Sequence, residues 1–175
     1  MRVSQISLQE LKFLVLFAAV YFVFYSLYFL IPDDVLRNII YYHGIVSISA
    51  DIINLFTAAE NVSAAQNKIM SQRAILEVVR GCDGSGSMFL IMAGVIAFSC
   101  SLKQKLIGLV AGVGLLYLLN QIRIVGLYYV VAYRSEWFLP IHTYFAPTLI
   151  VVISVLFFAW WAYSVRINAS TPPAG

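Results

Sequence analysis

Cys82, Arg123 and His142 supply a thiol, a guanidinium and an imidazole. Together these groups can carry out nucleophilic acyl transfer. The thiol attacks a carbonyl, the fixed cation stabilises the oxyanion, and the imidazole moves the proton. Cys82 lies in Val79-Arg80-Gly81-Cys82-Asp83-Gly84-Ser85-Gly86-Ser87, a polar, glycine-rich stretch just before the apolar run Met88-Phe89-Leu90-Ile91-Met92. Gly81 and Gly84 leave room beside the thiol for a substrate backbone. Arg80 and Arg123 bring positive charge to it, and Asp83 brings negative charge. Arg123 is the only charge deep inside an apolar run, and such a residue marks function or a buried structural pair, here with Glu136 or Asp83. Asn120, one turn earlier on the same helical face, is placed to orient it. His142 follows Pro140 and opens another apolar run, a place that suits either an acid/base or an interfacial histidine.

The remaining reactive side chains read differently. Cys100 sits in an apolar run as an inert small hydrophobe. His43 reads as interfacial. Two histidines without an acidic cluster at ligand spacing exclude a metal site, and nothing in the chain suggests a cofactor. If Cys82 and Cys100 share one helix, 18 residues place them roughly 27 Å apart, too far for a disulfide. The sequons at Asn61 and Asn168 carry little weight.

The elements that position these residues are set by the bilayer. Of 175 residues, 62% are hydrophobic and 11% charged, against about 25% charged in soluble domains. The net charge of +3 is small, and no basic cluster points to nucleic acid. The composition predicts a single all-α integral membrane domain, 1–175, of about four spans. These fall at about 11–31, 84–100, 106–133 and 142–165. Residues 33–83 form the outer segment. There Val35–Ala59 reads as an interfacial helix, because His43 and Asp51 are costly in lipid. A short β-hairpin follows within 60–79 and delivers the chain to Cys82. The first span has no cleavage site after it and reads as uncleaved. The tail from 167 to 175 reads as disordered.

Four spans put both termini on one side. The five basic residues there (Arg2, Lys12, Lys103, Lys105, Arg166) crowd short segments with one acid, Glu10. The other side carries seven acids against its five basic residues. The positive-inside rule places both termini in the cytoplasm, and this orientation fails if Ile39–Phe56 crosses. Arg123 is 17 residues past Leu106, roughly 25 Å along an outward-running helix. Topology alone thus brings Cys82, Arg123 and His142 to one depth beneath the outer surface.

Arg80-Gly81-Cys82-Asp83-Gly84, Asn120-Gln121-Ile122-Arg123-Ile124 and Ile141-His142, in that order and at those depths, resemble the exosortase/archaeosortase family of membrane cysteine transpeptidases. The likeness covers roughly residues 10 to 163, and the compact form is most similar to exosortase H. Two departures stand out: Cys-Asp-Gly where many members have Cys-Ser-Gly, and fewer spans than many. The resemblance implies attack by Cys82 on a C-terminal sorting tail of an exported protein, oxyanion stabilisation by Arg123 and proton transfer by His142. It implies a thioester intermediate, and partners whose tails combine a motif of Ile-Pro-Thr-Leu type, a helix and a basic cluster. It also implies residence in a bacterial inner membrane with the site facing the periplasm. Two other readings stay open. One is a non-catalytic assembly subunit whose Arg123 pairs with a partner's acid. The other is a serine protease using Ser85 or Ser87 with His142.

Overall fold

The computed structural model describes residues 7–170. α1 (Leu8–Phe29) opens on a capping box in which Ser7 and Glu10 satisfy each other's backbone N–H groups. Pro32 then starts α2, Asp33–Phe56, whose middle, Leu36–Val46, is wound as a π-helix. A 3₁₀ turn at Ala58–Glu60 leads into a small antiparallel sheet of β1 (Ser63–Ala65), β2 (Lys68–Met70) and β3 (Ile75–Glu77), in the order β1-β2-β3. One strand beyond the expected hairpin is therefore present. α3 (Ser85–Ala97) follows the cysteine turn. α4 (Leu102–Tyr133) begins with a second capping box, Ser101 with Gln104. α5 starts at Phe138–Pro140, passes through a π-helical segment at Ile141–Phe145 and continues as Ala146–Ser170. The tail expected to be disordered from 167 is helical to Ser170, and residues 171–175 lie outside the described residues.

Among the described residues, four helical stretches are long and apolar enough to cross a membrane: α1, α2, α4 and Ser135–Ile167, which joins the 3₁₀ turn Ser135–Trp137 to most of α5. With the small sheet, this is an all-α, multi-pass membrane protein. The number agrees with the sequence reading, but the membership differs. α2 qualifies by length, whereas α3, at 13 residues, is roughly 20 Å long and short for a span.

Tertiary contacts show how α2 lies. At its start Asp33 pairs with Arg80 at 3.0 Å, two residues before Cys82. Its middle dips to α4, where the Gly44 carbonyl accepts from Tyr117 Oη at 2.6 Å and Gln121 Nε2 at 3.0 Å. Just past its end, Thr57 bonds Tyr129 at 2.8 Å. Arg123, which meets Cys82, lies only six residues before Tyr129, roughly 9 Å along α4. Both ends of α2 are thus held at the same end of the bundle. A helix crossing beside α4 would instead place its ends at opposite ends of α4.

The buried core divides accordingly. One cluster joins α2, the sheet and the second half of α4 through Leu36, Ile53, Ile69, Leu76 and Tyr128. The other joins α3, α4 and α5 through Ile91, Leu116 and Trp161. Glu60 ties the first cluster to the end of α4. It accepts from the hydroxyls of Tyr133 and Tyr128, and the Tyr133 bond in particular holds its carboxyl below the usual carboxylate range.

Candidate functional site

Cys82 closes a tight turn. Its N–H donates to the Val79 carbonyl at 3.0 Å, with Gly81 at φ 83°. The third position of such a turn requires positive φ, which glycine adopts without strain. Gly84, also at φ 83°, precedes the first residue of α3. A Cβ on Gly84 would lie 2.8 Å from the Asn120 side chain, whereas one on Gly81 would meet nothing within 4 Å. Gly84 is therefore required by close packing, and Gly81 borders open space beside the thiol.

Asp83 fastens this turn and is itself buried, at 6% exposure. Its Oδ1 accepts from the Gly81 N–H at 3.2 Å and the Ser85 hydroxyl at 3.0 Å. Its Oδ2 accepts from the Tyr28 hydroxyl at 2.6 Å. Tyr28 has thereby spent its proton, so Tyr41 donates to Tyr28 across their 2.6 Å contact. Two tyrosines from α1 and α2 thus hold one carboxylate, which holds the cysteine turn. Buried carboxylates persist where such donors satisfy them.

The guanidinium of Arg123 reaches the turn from α4. Nη1 donates to the Cys82 carbonyl at 3.2 Å, while Nε is buried without a hydrogen-bond partner among the described residues. The group also lies within electrostatic reach of the thiol and of Asp83. Neither structural partnership considered for it is its hydrogen-bond contact, and Glu136 faces Arg134 at 3.9 Å. The imidazole of His142 comes from the π segment of α5. Its Nε2 is 3.3 Å from the Cys82 sulfur. Its ring stacks on Phe138, four residues earlier, at 5.0 Å between centroids and 13° between planes. Its Nδ1 is buried and has no hydrogen-bond partner among the described residues. Single π segments inside α-helices are rare and concentrate at functional sites.

The three residues singled out in the sequence therefore meet, from three elements. Two supporting roles are corrected. Asn120 does not orient Arg123: its Nδ2 donates to the Asp83 carbonyl at 2.9 Å, so it positions the cysteine turn. Arg80 does not serve the thiol. It pairs with Asp33, donates to the carbonyls of Tyr28 and Ile31, and lies over the Tyr28 and Phe29 rings. Its charge is spent locking the turn to the end of α1. Ser85 is engaged with Asp83 rather than with His142. Tyr28 and Tyr41 were not singled out in the sequence. Nothing in their context separates them from nine other tyrosines, most of them in apolar runs. Among the described residues no group of three or more His, Cys, Asp or Glu gathers as a metal site.

A multi-pass helical membrane protein with a thiol, an imidazole and a guanidinium meeting at one end of its bundle is the class that fold and site define. The family model described as transmembrane exosortase (Exosortase_EpsH) matches residues 6–161. The chain belongs to that family. Neither a search of curated proteins nor one of solved structures finds a match.

Proposed function

We propose that this protein is an exosortase-type cysteine transpeptidase or peptidase that cleaves C-terminal sorting tails of exported proteins. The observation that carries the reading is the 3.3 Å approach of His142 Nε2 to the Cys82 sulfur, beside the Arg123 guanidinium. The imidazole takes the thiol proton, and the sulfur attacks a carbonyl carbon of the tail. The carbonyl π electrons move onto oxygen, and Arg123, with a buried Nε to spare, stabilises that oxyanion. Collapse breaks the C–N bond, and His142 returns its proton to the departing amine. The product is a thioester on Cys82. An incoming amine, hydroxyl or water, deprotonated by His142, then releases the acyl group. Capture by an amine or hydroxyl makes the reaction a transpeptidation or esterification, and capture by water makes it a hydrolysis.

The likeness to the exosortase H subgroup favours tails with an Ile-Pro-Thr-Leu type motif, a helix and a basic cluster. The lie of α2 supports four crossings, by α1, α3, α4 and α5. Both termini are then in the cytoplasm and the site faces the periplasm across a bacterial inner membrane. Engagement of Ser85 by Asp83 weighs against a serine nucleophile, and the contact of Arg123 with its own chain weighs against an assembly role.

Co-expression with a tailed substrate tests the reading. Cys82→Ala and His142→Ala are expected to abolish processing. Arg123→Ala is expected to lower it by about 10²–10³-fold, the usual cost of an oxyanion donor. Ser85→Ala leaves Cys82 and His142 in place and retains most of the rate. Full processing by Cys82→Ala overturns the thiol mechanism.

A further inference from the structure

β3 pairs with β2 on one side only, because it ends the sheet. In an antiparallel pair, residues alternate between those that exchange hydrogen bonds with the partner strand and those that do not. The Val78 N–H donates to the Asn67 carbonyl at 2.8 Å, and the Ser71 N–H to the Ala74 carbonyl at 3.0 Å. With Leu76 opposite Ile69 and Glu77 opposite Lys68, the bonded positions on this strand are Ala74, Leu76 and Val78. Ile75 and Glu77 consequently turn their N–H and C=O groups to the open side. No described backbone group bonds them there. Ile75 is 64% exposed and Glu77 is exposed, while Leu76 and Val78 anchor the strand in the core at 7% and 3%.

Open N–H and C=O groups two residues apart are complementary to the backbone of another extended strand. This strand leads straight into the cysteine turn. Val79 starts the turn that Cys82 closes, and the ends of such a turn are less than about 7 Å apart. A peptide laid along β3 is therefore already aligned with the thiol, on the side where Gly81 leaves open space. Only three residues of strand are offered, which suits a short peptide segment better than the broad contact of two folded copies.

We propose that the free edge of β3 binds the substrate polypeptide as a fourth strand. Main-chain bonds to Ile75 and Glu77 would hold the extended segment next to the scissile carbonyl and pass that carbonyl to Cys82. The side chains flanking the added strand would be Ile75, Glu77 and Val79, on the exposed face of the sheet. The proposal rests on the thiol reading for its substrate, but its contacts are separate from the reacting atoms.

The test uses the full chain in detergent, carrying Cys82→Ala so that nothing is cleaved. The probe is a fluorescent peptide with an Ile-Pro-Thr-Leu motif and its flanking residues. Glu77→Pro removes an outward N–H and leaves the main-chain ladder to β2 in place, losing with it the carboxylate's contacts to Asn67 at 3.0 Å and Lys68 at 3.9 Å, and edge strands tolerate proline. Glu77→Ala loses the same side-chain contacts but keeps that N–H, and serves as the control. Glu77→Pro is expected to weaken binding by about tenfold and Glu77→Ala by less than about twofold. The peptide N-methylated at alternate backbone positions repeats the experiment without altering the protein, and one of its two registers should lose the same tenfold. Equal binding by all of these overturns the edge proposal, as does failure of the probe to bind the Cys82→Ala chain when the unaltered chain processes a substrate with the same tail. A concentration-dependent dimer of the chain that Glu77→Pro dissolves also overturns it, by assigning the edge to a second copy. Full processing by Cys82→Ala overturns the thiol mechanism instead, with the binding result still standing.

Discussion

The Asp83 carboxylate accepts three hydrogen bonds within a residue or two of the Cys82 thiol, and only one of its donors comes from a distant element. That donor, Tyr28, is the lever on the site that reaches it from α1. Tyr28→Phe leaves Asp83 Oδ2 and the Tyr41 hydroxyl without each other's chain of bonds, at a cost of about 1–3 kcal/mol for the buried acceptor. In a chain of this size that is a drop in Tm of about 2–4 °C for each kcal/mol. Asp83→Ala strands three donors and is expected to cost more. If the network positions the thiol, processing falls in both variants at a temperature where both are fully folded, while Tyr25→Phe, outside the network, changes neither. A lowered Tm with unchanged processing would limit Asp83 to stability. Cys82 and His142 stood out in the sequence as rare residue types at polar–apolar boundaries, and Arg123 as a charge deep inside an apolar run. Tyr28 and Tyr41 were not, since a tyrosine in an aromatic-rich run looks the same whether its hydroxyl faces lipid headgroups or a buried carboxylate.

At the scale of elements, the site depends on how α5 is wound. His142 lies in the five-residue π segment Ile141–Phe145, and its Nε2 meets the thiol from there. A π segment holds one residue more than the α-helix it interrupts. Deleting the exposed Thr143 returns the segment to α winding. It turns His142 by about 100° and shifts it by about 1.5 Å relative to the body of the helix. Loss of processing is expected, with helical circular dichroism and Cys82 alkylation by a small reagent both retained. Undiminished processing would show that the winding does not present the imidazole. Periodicity cannot reveal such a segment, because apolar residues surround it on every side and no face is marked. The sheet was half legible for a related reason. Its three-residue strands alternate too briefly to be separated, and left-handed residues at Asn61 and Gln66, rather than glycines, turn the chain around them.

For the whole molecule, the decisive element is α2, since the number of crossings fixes which side of the membrane holds the thiol. Length and composition alone count α2 as a span and leave α3 short. The contacts of α2 favour the other assignment. Asp33 is tied to Arg80 beside the cysteine turn, Thr57 to Tyr129, and Asn54 to the backbone of Val62 at 2.8 Å on both sides of its amide. A crossing helix of this length would carry its ends to opposite ends of α4, and here both are fastened to one. The polar residues that made burial in lipid costly in the sequence, His43 and Asp51, are both exposed. In lipid each would carry a penalty of several kcal/mol, a cost that an α2 lying at the end of the bundle avoids. Single cysteines at Asp34 and at Leu55, which is 81% exposed, in a Cys82→Ala, Cys100→Ala background, separate the alternatives. An impermeant maleimide added to intact cells is expected to label both positions, and a cysteine at Lys103 to react only after lysis. Labelling of one of the two α2 positions but not the other means that α2 crosses. The termini then lie on opposite sides, and the positive-inside count no longer orients the site.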